Sequence, residues 1–375
     1  MQPNAASFWE RHHRRLLLAA VPAWVVLIVL VYAETRPPDA YGSAAYTLKV
    51  GALPVTCNLT GAVACMSMNM VGMEHMSAED MANMPDPATL ETRDKDRTYV
   101  ARFERYSGWP ELKEAFMAGK VGAAYLLAPL AMDLADRGIP VRIVALGHRS
   151  GAVIMVRKED PAKDLADLRG KRVAIPSRFA VDHLFVRRLM KTYGLKDGDL
   201  KLVEIAPPDM PAALYAQAVD AYATGEPFGA MAEKDGYARV LHWTRQEWPT
   251  YVCCVLAVRT DLTRNVRPLV QQLVDNVMSA GTWLEQDPAN RDRAADVAAR
   301  PEFFNQDASL LRYVLQNPRD RVTYGNLGLI RSELDELMNL GLEAGIIDHP
   351  IPYDTYADET YVRRYTPTQI RIDQP

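Results

Sequence analysis

Gly108-Trp109-Pro110-Glu111-Leu112-Lys113-Glu114-Ala115-Phe116-Met117-Ala118-Gly119-Lys120-Val121-Gly122-Ala123-Ala124-Tyr125 closes on Ala128-Pro129, and about a hundred residues later the phrase returns. The second copy is Asp209-Met210-Pro211-Ala212-Ala213-Leu214-Tyr215-Ala216-Gln217-Ala218-Val219-Asp220-Ala221-Tyr222, closing on Gly225-Glu226-Pro227. Each copy has a proline suited to the first helical turn, apolar residues at three- and four-residue spacing, a small-residue stop and a short apolar strand. The copies differ in length by three residues, close to one helical turn, so the buried face stays nearly in phase. A helix–strand phrase used twice implies two similar lobes facing each other across a cleft, and two lobes suggest a ligand clamp.

Outward from the first copy, strands are expected at 46–55, 99–105, 122–127 and 141–146, with a helix at 129–137. Around the second copy, strands are expected at 151–157 and 200–205 and a helix at 182–193. Strands alternating with helices of ten or more residues imply parallel βαβ units and an α/β fold. After Trp248-Pro249 a strand at 251–258 returns the chain to the first lobe, followed by a helical region at 266–342. The expected division is therefore 46–148 and 251–347 for lobe I, 149–250 for lobe II and 348–375 for a tail that wraps the surface. Two crossings make a hinge near 147–151 and 249–253.

At 375 residues and 49% hydrophobic content the chain exceeds the usual single-domain size. Its net charge of −4 includes a local +2 from Arg11, Arg14 and Arg15 against Glu10, so the body is acidic. That argues against nucleic acid, which favours a basic face. The basic flank precedes an uncharged run at 16–33, at the lower edge of a membrane-spanning length and long for a signal-peptide core. Residues 1–33 therefore read as a signal anchor or a cleaved signal, with 34–45 as a linker. The body is expected outside the cytoplasm, anchored to the inner membrane by the N-terminal helix.

Lys49-Val50-Gly51-Ala52-Leu53-Pro54-Val55-Thr56, Asp167-Leu168-Arg169-Gly170-Lys171-Arg172-Val173, Pro207-Pro208-Asp209-Met210, Asp220-Ala221, Gly225-Glu226-Pro227 and Trp248-Pro249 together resemble the nitrate/bicarbonate/sulfonate (NMT1/THI5-like) class of solute-binding proteins serving ABC importers. The resemblance runs from about residue 46 to 342. It implies a type II periplasmic clamshell of two α/β lobes, a small-molecule solute in the cleft and an ABC permease as partner. Helix N-termini facing such a cleft carry free N–H groups and suit small anions. Candidate ligand-binding residues are Thr56, Cys57, Asn58, Trp109, Ser177, Arg178, His183, Gly225, Glu226 and Cys254. On the nitrate-binding branch, the resemblance puts the cleft Trp on Trp109, the cleft His on or beside His183 and the turn Gly on Gly225. The branch's Gln falls on Ala152 and its cleft Lys on Cys254, which removes a polar donor and the positive charge.

Seven of the sixteen methionines lie between Met66 and Met84. Thioether, thiol and imidazole favour soft ions such as Cu(I) over hard ones, so Cys57, Cys65, Met66, Met68, Met70, Met73, His75 and Met76 are candidate metal ligands. The alternative is an adaptable apolar lid. Met66, Met68 and Met70 alternate as on a strand, while Met73 with Met76 and Met81 with Met84 have helical spacing. Four cysteines in an exported chain allow three disulfide pairings. In an extended segment Cys253 and Cys254 point to opposite faces, which disfavours a bridge between them. Cys57 and Cys254 are expected to meet at the hinge as a disulfide, a shared metal site or small buried hydrophobes. Trp109 suits stacking on a ligand or a core contact, His183 an anion contact or a helix cap, Arg178 an anion contact or a solvated charge, and Glu226 a cationic ligand or a surface turn.

No nucleophile elbow, zinc-protease helix, phosphate loop or dinucleotide fingerprint occurs, and no two cysteines are spaced as in a zinc finger. The leading expectation is a non-enzymatic solute receptor. A copper-binding protein on the same scaffold and a pyrimidine-synthesis-like enzyme are the alternatives.

Overall fold

In the computed structural model, which describes residues 45–73, 89–94, 97–370 and 372, the two copies of the repeated phrase stand on two different sheets. The first sheet runs β2 (Thr89–Asp94), β3 (Arg97–Arg105), β1 (Ala45–Ala52), β4 (Ala123–Leu127), β12 (Cys254–Arg259), β5 (Val141–Leu146). The second runs β11 (Ala238–Trp243), β7 (Ala152–Arg157), β10 (Ala221–Gly225), β8 (Arg172–Ile175), β9 (Lys201–Glu204). Parallel pairs β1–β4, β8–β10 and β8–β9 form the heart of each sheet, and β12 and β7 insert antiparallel. All five residues of β4 are buried, as expected of a strand covered on both faces by helices.

Each repeat copy supplies one helix and one central strand. In the first, Pro110 sits in the opening turn of α2 (Trp109–Met117), which buries Leu112, Ala115 and Phe116 and leads into β4. In the second, α5 (Met210–Tyr215) with Pro211 in its opening turn leads into β10. There Met210, Leu214, Val219 and Tyr222 share one apolar core with Val153, Met155 and Ala174. The remaining elements used below are α1 (Leu59–Met73), α3 (Ala128–Asp136), α4 (Val181–Thr192), α6 (Phe228–Lys234), α7 (Arg267–Gln286), α8 (Pro288–Ala299), α9 (Ala308–Gln316) and α10 (Arg331–Glu343).

One local reading of the methionine run is overturned. Met66, Met68, Met70 and Met73 all belong to helix α1, not to a strand. Burial decides the conformation: Leu59, Ala62, Val63, Cys65 and Met66 are all inside, and a Cβ on Gly61 would lie 2.7 Å from the Tyr125 ring. His75, Met76, Met81 and Met84 lie outside the described residues, as do the N-terminal segment at 1–33 and nearly all of the expected linker. Among the described residues no helix is long and apolar enough to cross a membrane.

The chain leaves the first sheet after β5 and comes back as β12, which lies between β4 and β5. Its outward and return crossings touch through an Arg149–Val252 bridge. A third segment joins them, because β6 (Arg149–Ser150) pairs with β13 (Val322–Thr323). Close approach demands glycine at 147, where a Cβ would sit 2.6 Å from the Cys57 carbonyl oxygen. Gly151 takes a left-handed φ of 93°, costly for any residue with a Cβ. At the far edge the tail bridges Ala357 to Ile143 and buries Tyr356 and Tyr361, so the edge of β5 is covered.

Arg321, just before β13, reaches the second lobe. Its Nε lies 3.4 Å from Glu226 Oε1, with both side chains fully buried. It also pairs with Glu233 and lies over the Trp243 ring at 4.7 Å. Arg321→Ala leaves Glu226 as an uncompensated buried carboxyl and is expected to cost about 3–5 kcal/mol, with Arg321→Met/Glu226→Gln recovering much of it. Urea unfolding of the three proteins checks this; a loss below about 1 kcal/mol for Arg321→Ala would contradict it.

Candidate functional site

A groove of about 380 Å³ opens between the lobes. Trp109, Lys113 and Met117 of α2 and Leu130 and Arg137 on the α3 side form one wall; Pro176, Ser177 and Phe179 of the β8–α4 connection, with Glu204, form the other. Leu127, the last residue of β4, also lines it. α2 begins at this groove after Gly108 without a side-chain cap, and on the other wall Phe179 leads toward α4, whose start after Ala180 also lacks a side-chain cap. Their free N–H groups carry a partial positive charge. A groove that sets Trp109, Leu127, Leu130 and Phe179 beside the charges of Lys113, Asp133, Arg137 and Glu204, with an uncapped helix start at its edge, is suited to a small solute with an apolar body and a charged head.

Deeper, at the crossing of the chain, four donors converge. Cys57 comes from the turn after β1, His148 from the outward crossing, and Cys253 and Cys254 from the return crossing. Their ligand atoms all lie within 4.8 Å of one another, and all four residues are buried. Cys254 donates to Cys57 Sγ at 3.2 Å, and the sulfurs of Cys253 and Cys254 are 3.7 Å apart. Burial opposes ionisation of Cys57, but hydrogen bonds from Cys253 and Cys254 outweigh it and bring its pKa down to about 6. Burial drives Cys254 the other way, well above the ordinary thiol value. Beside them Asp182, in the first turn of α4, accepts from Tyr251 Oη at 3.1 Å. Its carboxyl is pushed up to about 8, first by burial and then by the neighbouring Cys253.

The structure distributes the expected site residues between these two places. Trp109 and Ser177 line the groove, and the Trp109 ring is largely covered. Arg178 is exposed and donates to the Gly345 carbonyl at 3.3 Å. His183 is buried and donates from Nδ1 to the Arg178 carbonyl at 2.8 Å; burial lowers its pKa and keeps the ring neutral. Cys57 and Cys254 belong to the deep cluster. Thr56 joins the lobes, its backbone N–H and its hydroxyl both donating to the Glu226 carbonyl at 3.0 Å. Asn58 donates to the Leu53 carbonyl at 2.8 Å, and its Oδ1 is a buried acceptor without a partner. Gly225 ends β10 opposite Ala152.

Several readings are corrected. Glu226 is no surface turn: its side chain is buried on Arg321, and burial raises its pKa despite that guanidinium. Cys253 and Cys254 do not point to opposite faces, because β12 begins only at Cys254 and the residue before it is not in regular strand geometry. Cys65 and Met66 are buried in α1, with Met66 Sδ 3.7 Å from Arg300 Nη1, whereas Cys57 turns to His148, Cys253 and Cys254. The side chains of Met68, Met70 and Met73, and all of His75 and Met76, lie outside what is described. Sequence reasoning missed His148, Cys253, Asp182 and Tyr251 as site residues. The available signal was positional, since His148 follows the C-terminal end of a strand at the predicted crossing.

The model of the NMT1-like family matches residues 88–299, more than half of the chain. The nitrate import ATP-binding protein NrtC of Synechococcus elongatus is 28% identical over 58% of the chain and 36% of its own length. The taurine-binding periplasmic protein of Escherichia coli is 26% identical over 56% of the chain and 67% of its own length. The chain spans only 32% to 54% of the length of the nitrate-system relatives it matches. Among solved structures, a ligand-binding component of an ABC-type import system from Staphylococcus aureus with zinc bound superposes with a TM-score of 0.69 at 23% identity, covering 86% of this chain and 99% of that one. The fold also hosts chemistry: a mutant of the desulfurization enzyme DSZB in complex with biphenyl-2-sulfinic acid superposes at a TM-score of 0.59 and 15% identity, over 86% of this chain and 98% of that one.

The raised pKa of Asp182 has a consequence for stability. Between the ordinary value of about 4 and the folded value of about 8, the unfolded chain gives up a proton that the folded protein keeps. Its contribution to stability is therefore full below pH ~4 and is lost as pH rises through about 8. Asp182→Asn keeps an acceptor for Tyr251 without the titration. The difference in thermal midpoint between variant and wild type should grow in the variant's favour from pH 5 to pH 8; a constant difference would contradict the assignment.

Proposed function

The chain belongs to the NMT1-like family, and from that premise we propose that it is the solute-binding component of an ABC importer. The observation that carries this reading is the interlobe groove, where apolar side chains from both lobes stand beside Lys113, Arg137 and the uncapped start of α2. The solute is a small organic anion, of the sulfonate type that the taurine-binding relative names, held with its apolar body against Trp109 and Phe179. Bare nitrate suits this groove less well: the resemblance places a lysine at position 254 and a glutamine at 152, and here they are a buried cysteine and a buried alanine. The protein works in the periplasm, with residues 1–33 directing export and tethering it to the inner membrane, and delivers the solute to a permease. It binds and releases without chemistry, in contrast to DSZB on the same fold.

Closure brings the walls together around a hinge at the chain crossings, and ordering Trp109 on the solute supplies part of the affinity. Isothermal calorimetry and tryptophan fluorescence against taurine, longer alkanesulfonates and nitrate test the reading. An alkanesulfonate is expected to bind more tightly than nitrate, and Trp109→Ala to weaken it by roughly 10- to 100-fold. Preference for nitrate would replace the solute class, and no binding across the panel would overturn the receptor reading.

A further inference from the structure

The deep cluster contains more than a hinge needs. Small buried hydrophobes would account for the three thiols, since cysteine packs well in dry interiors. They do not account for His148. Its side chain is only 2% exposed, and neither ring nitrogen has a hydrogen-bond partner of normal geometry. A buried imidazole that has only the thiol of Cys253 beside it, and no well-formed hydrogen bond, is costly to leave unpaired and calls for a ligand. A disulfide between Cys57 and Cys254 would use two of the four residues and leave Cys253 and His148 unexplained.

The distances match one kind of ligand. A tetrahedral ion with metal–sulfur bonds of about 2.3 Å separates its sulfurs by about 3.8 Å. Here two of the three sulfur pairs stand at 3.2 and 3.7 Å, and the four donor atoms fall within 4.8 Å. Three sulfurs and one imidazole make a soft set that excludes calcium and magnesium and suits zinc or monovalent copper.

We propose that Cys57, His148, Cys253 and Cys254 form a four-coordinate site for a thiophilic d10 ion, zinc or monovalent copper, at the junction of the two lobes. Zinc uptake sends to solvent whatever protons the three thiols still hold, and leaves three thiolates and a neutral imidazole around a divalent ion, a net charge of −1. Cys57 and Cys254, the first residue of β12, belong to the first lobe and His148 and Cys253 to the crossings, so the ion fastens the first lobe to the segments that lead to the second. Leu127 pairs with Cys254 and also lines the groove, so an opened groove is the way in. The inference stands independently of which solute the groove takes.

The full chain, reduced and kept anaerobic, is titrated with Co2+ as a spectroscopic probe. One equivalent should give the visible d–d bands of tetrahedral cobalt and thiolate-to-cobalt charge transfer, both erased by one equivalent of Zn2+. Cys57→Ser and His148→Ala should each weaken cobalt by at least about tenfold, while Met66→Leu leaves the titration unchanged. Competition with a copper(I) chelator tells monovalent copper from zinc, and one equivalent of either held by these residues supports the site. Octahedral cobalt only, or zinc and copper uptake no stronger than in Cys57→Ser, overturns it. So does a Cys57–Cys254 disulfide that, once reduced, leaves a protein taking up no metal. Because the decisive spectrum is read on wild type, a variant that fails to fold does not blur the result, and sulfonate calorimetry on the same sample reports separately on the groove.

Discussion

The return of β12 to a place between β4 and β5 forces the chain through one narrow neck at least twice, and the side chains that meet there are buried. A polar group in such a place is costly unless it is paired. The pairing is dense. Ala128 donates to the Cys253 carbonyl, Gly147 to the Cys254 carbonyl and Glu226 to the Gly151 carbonyl, while Thr56 donates twice to Glu226. Arg321 adds a fully buried charge pair from a third strand. The positions of both lobes follow from this knot: each sheet hangs from it by strands that begin or end within a few residues of these bonds. On the proposed receptor reading, rotation is confined to bonds flanking the knot, so that the groove opens and closes while the neck stays fixed.

Much of the architecture was legible because it rests on local rules. Prolines 110 and 211 mark helix starts, and the apolar spacing after them marks buried faces, so the two copies could be read as two halves. Trp109 and Ser177 were recoverable for the same reason, since each sits at a strand end or helix start pointing toward a cleft. What the sequence hid depends on contacts between distant segments. His148 is one histidine among seven until the fold carries it to Cys57, ninety-one positions away. Cys253 was read by the alternation of a strand that begins one residue later. Met66, Met68 and Met70 alternate in the sequence, yet burial of the first turns of α1 on every side overrides that pattern. Glu226 looked like a turn carboxylate because Arg321, its partner, lies ninety-five positions on.

Groove and neck are neighbours with opposite chemistry. The groove is broad, mostly apolar and open to solvent, fit for a solute that comes and goes. The neck is closed, sulfur-rich and bounded by Asp182 and Tyr251, fit for something that stays. Position 254 joins them: in the nitrate-binding branch the resemblance places a charged residue there, facing the ligand, whereas in this chain a buried cysteine turns inward to two other sulfurs. Losing the lysine removes a point charge from the cleft and gives a donor to the neck.

Closure of two lobes about a fixed neck is the physical event on which the receptor reading rests. Small-angle scattering of the full chain, with and without a saturating alkanesulfonate, measures it directly. Bound solute should reduce the radius of gyration, with Trp109→Ala remaining in the more extended form at the same concentration. Identical curves from free and demonstrably loaded protein would contradict a clamp.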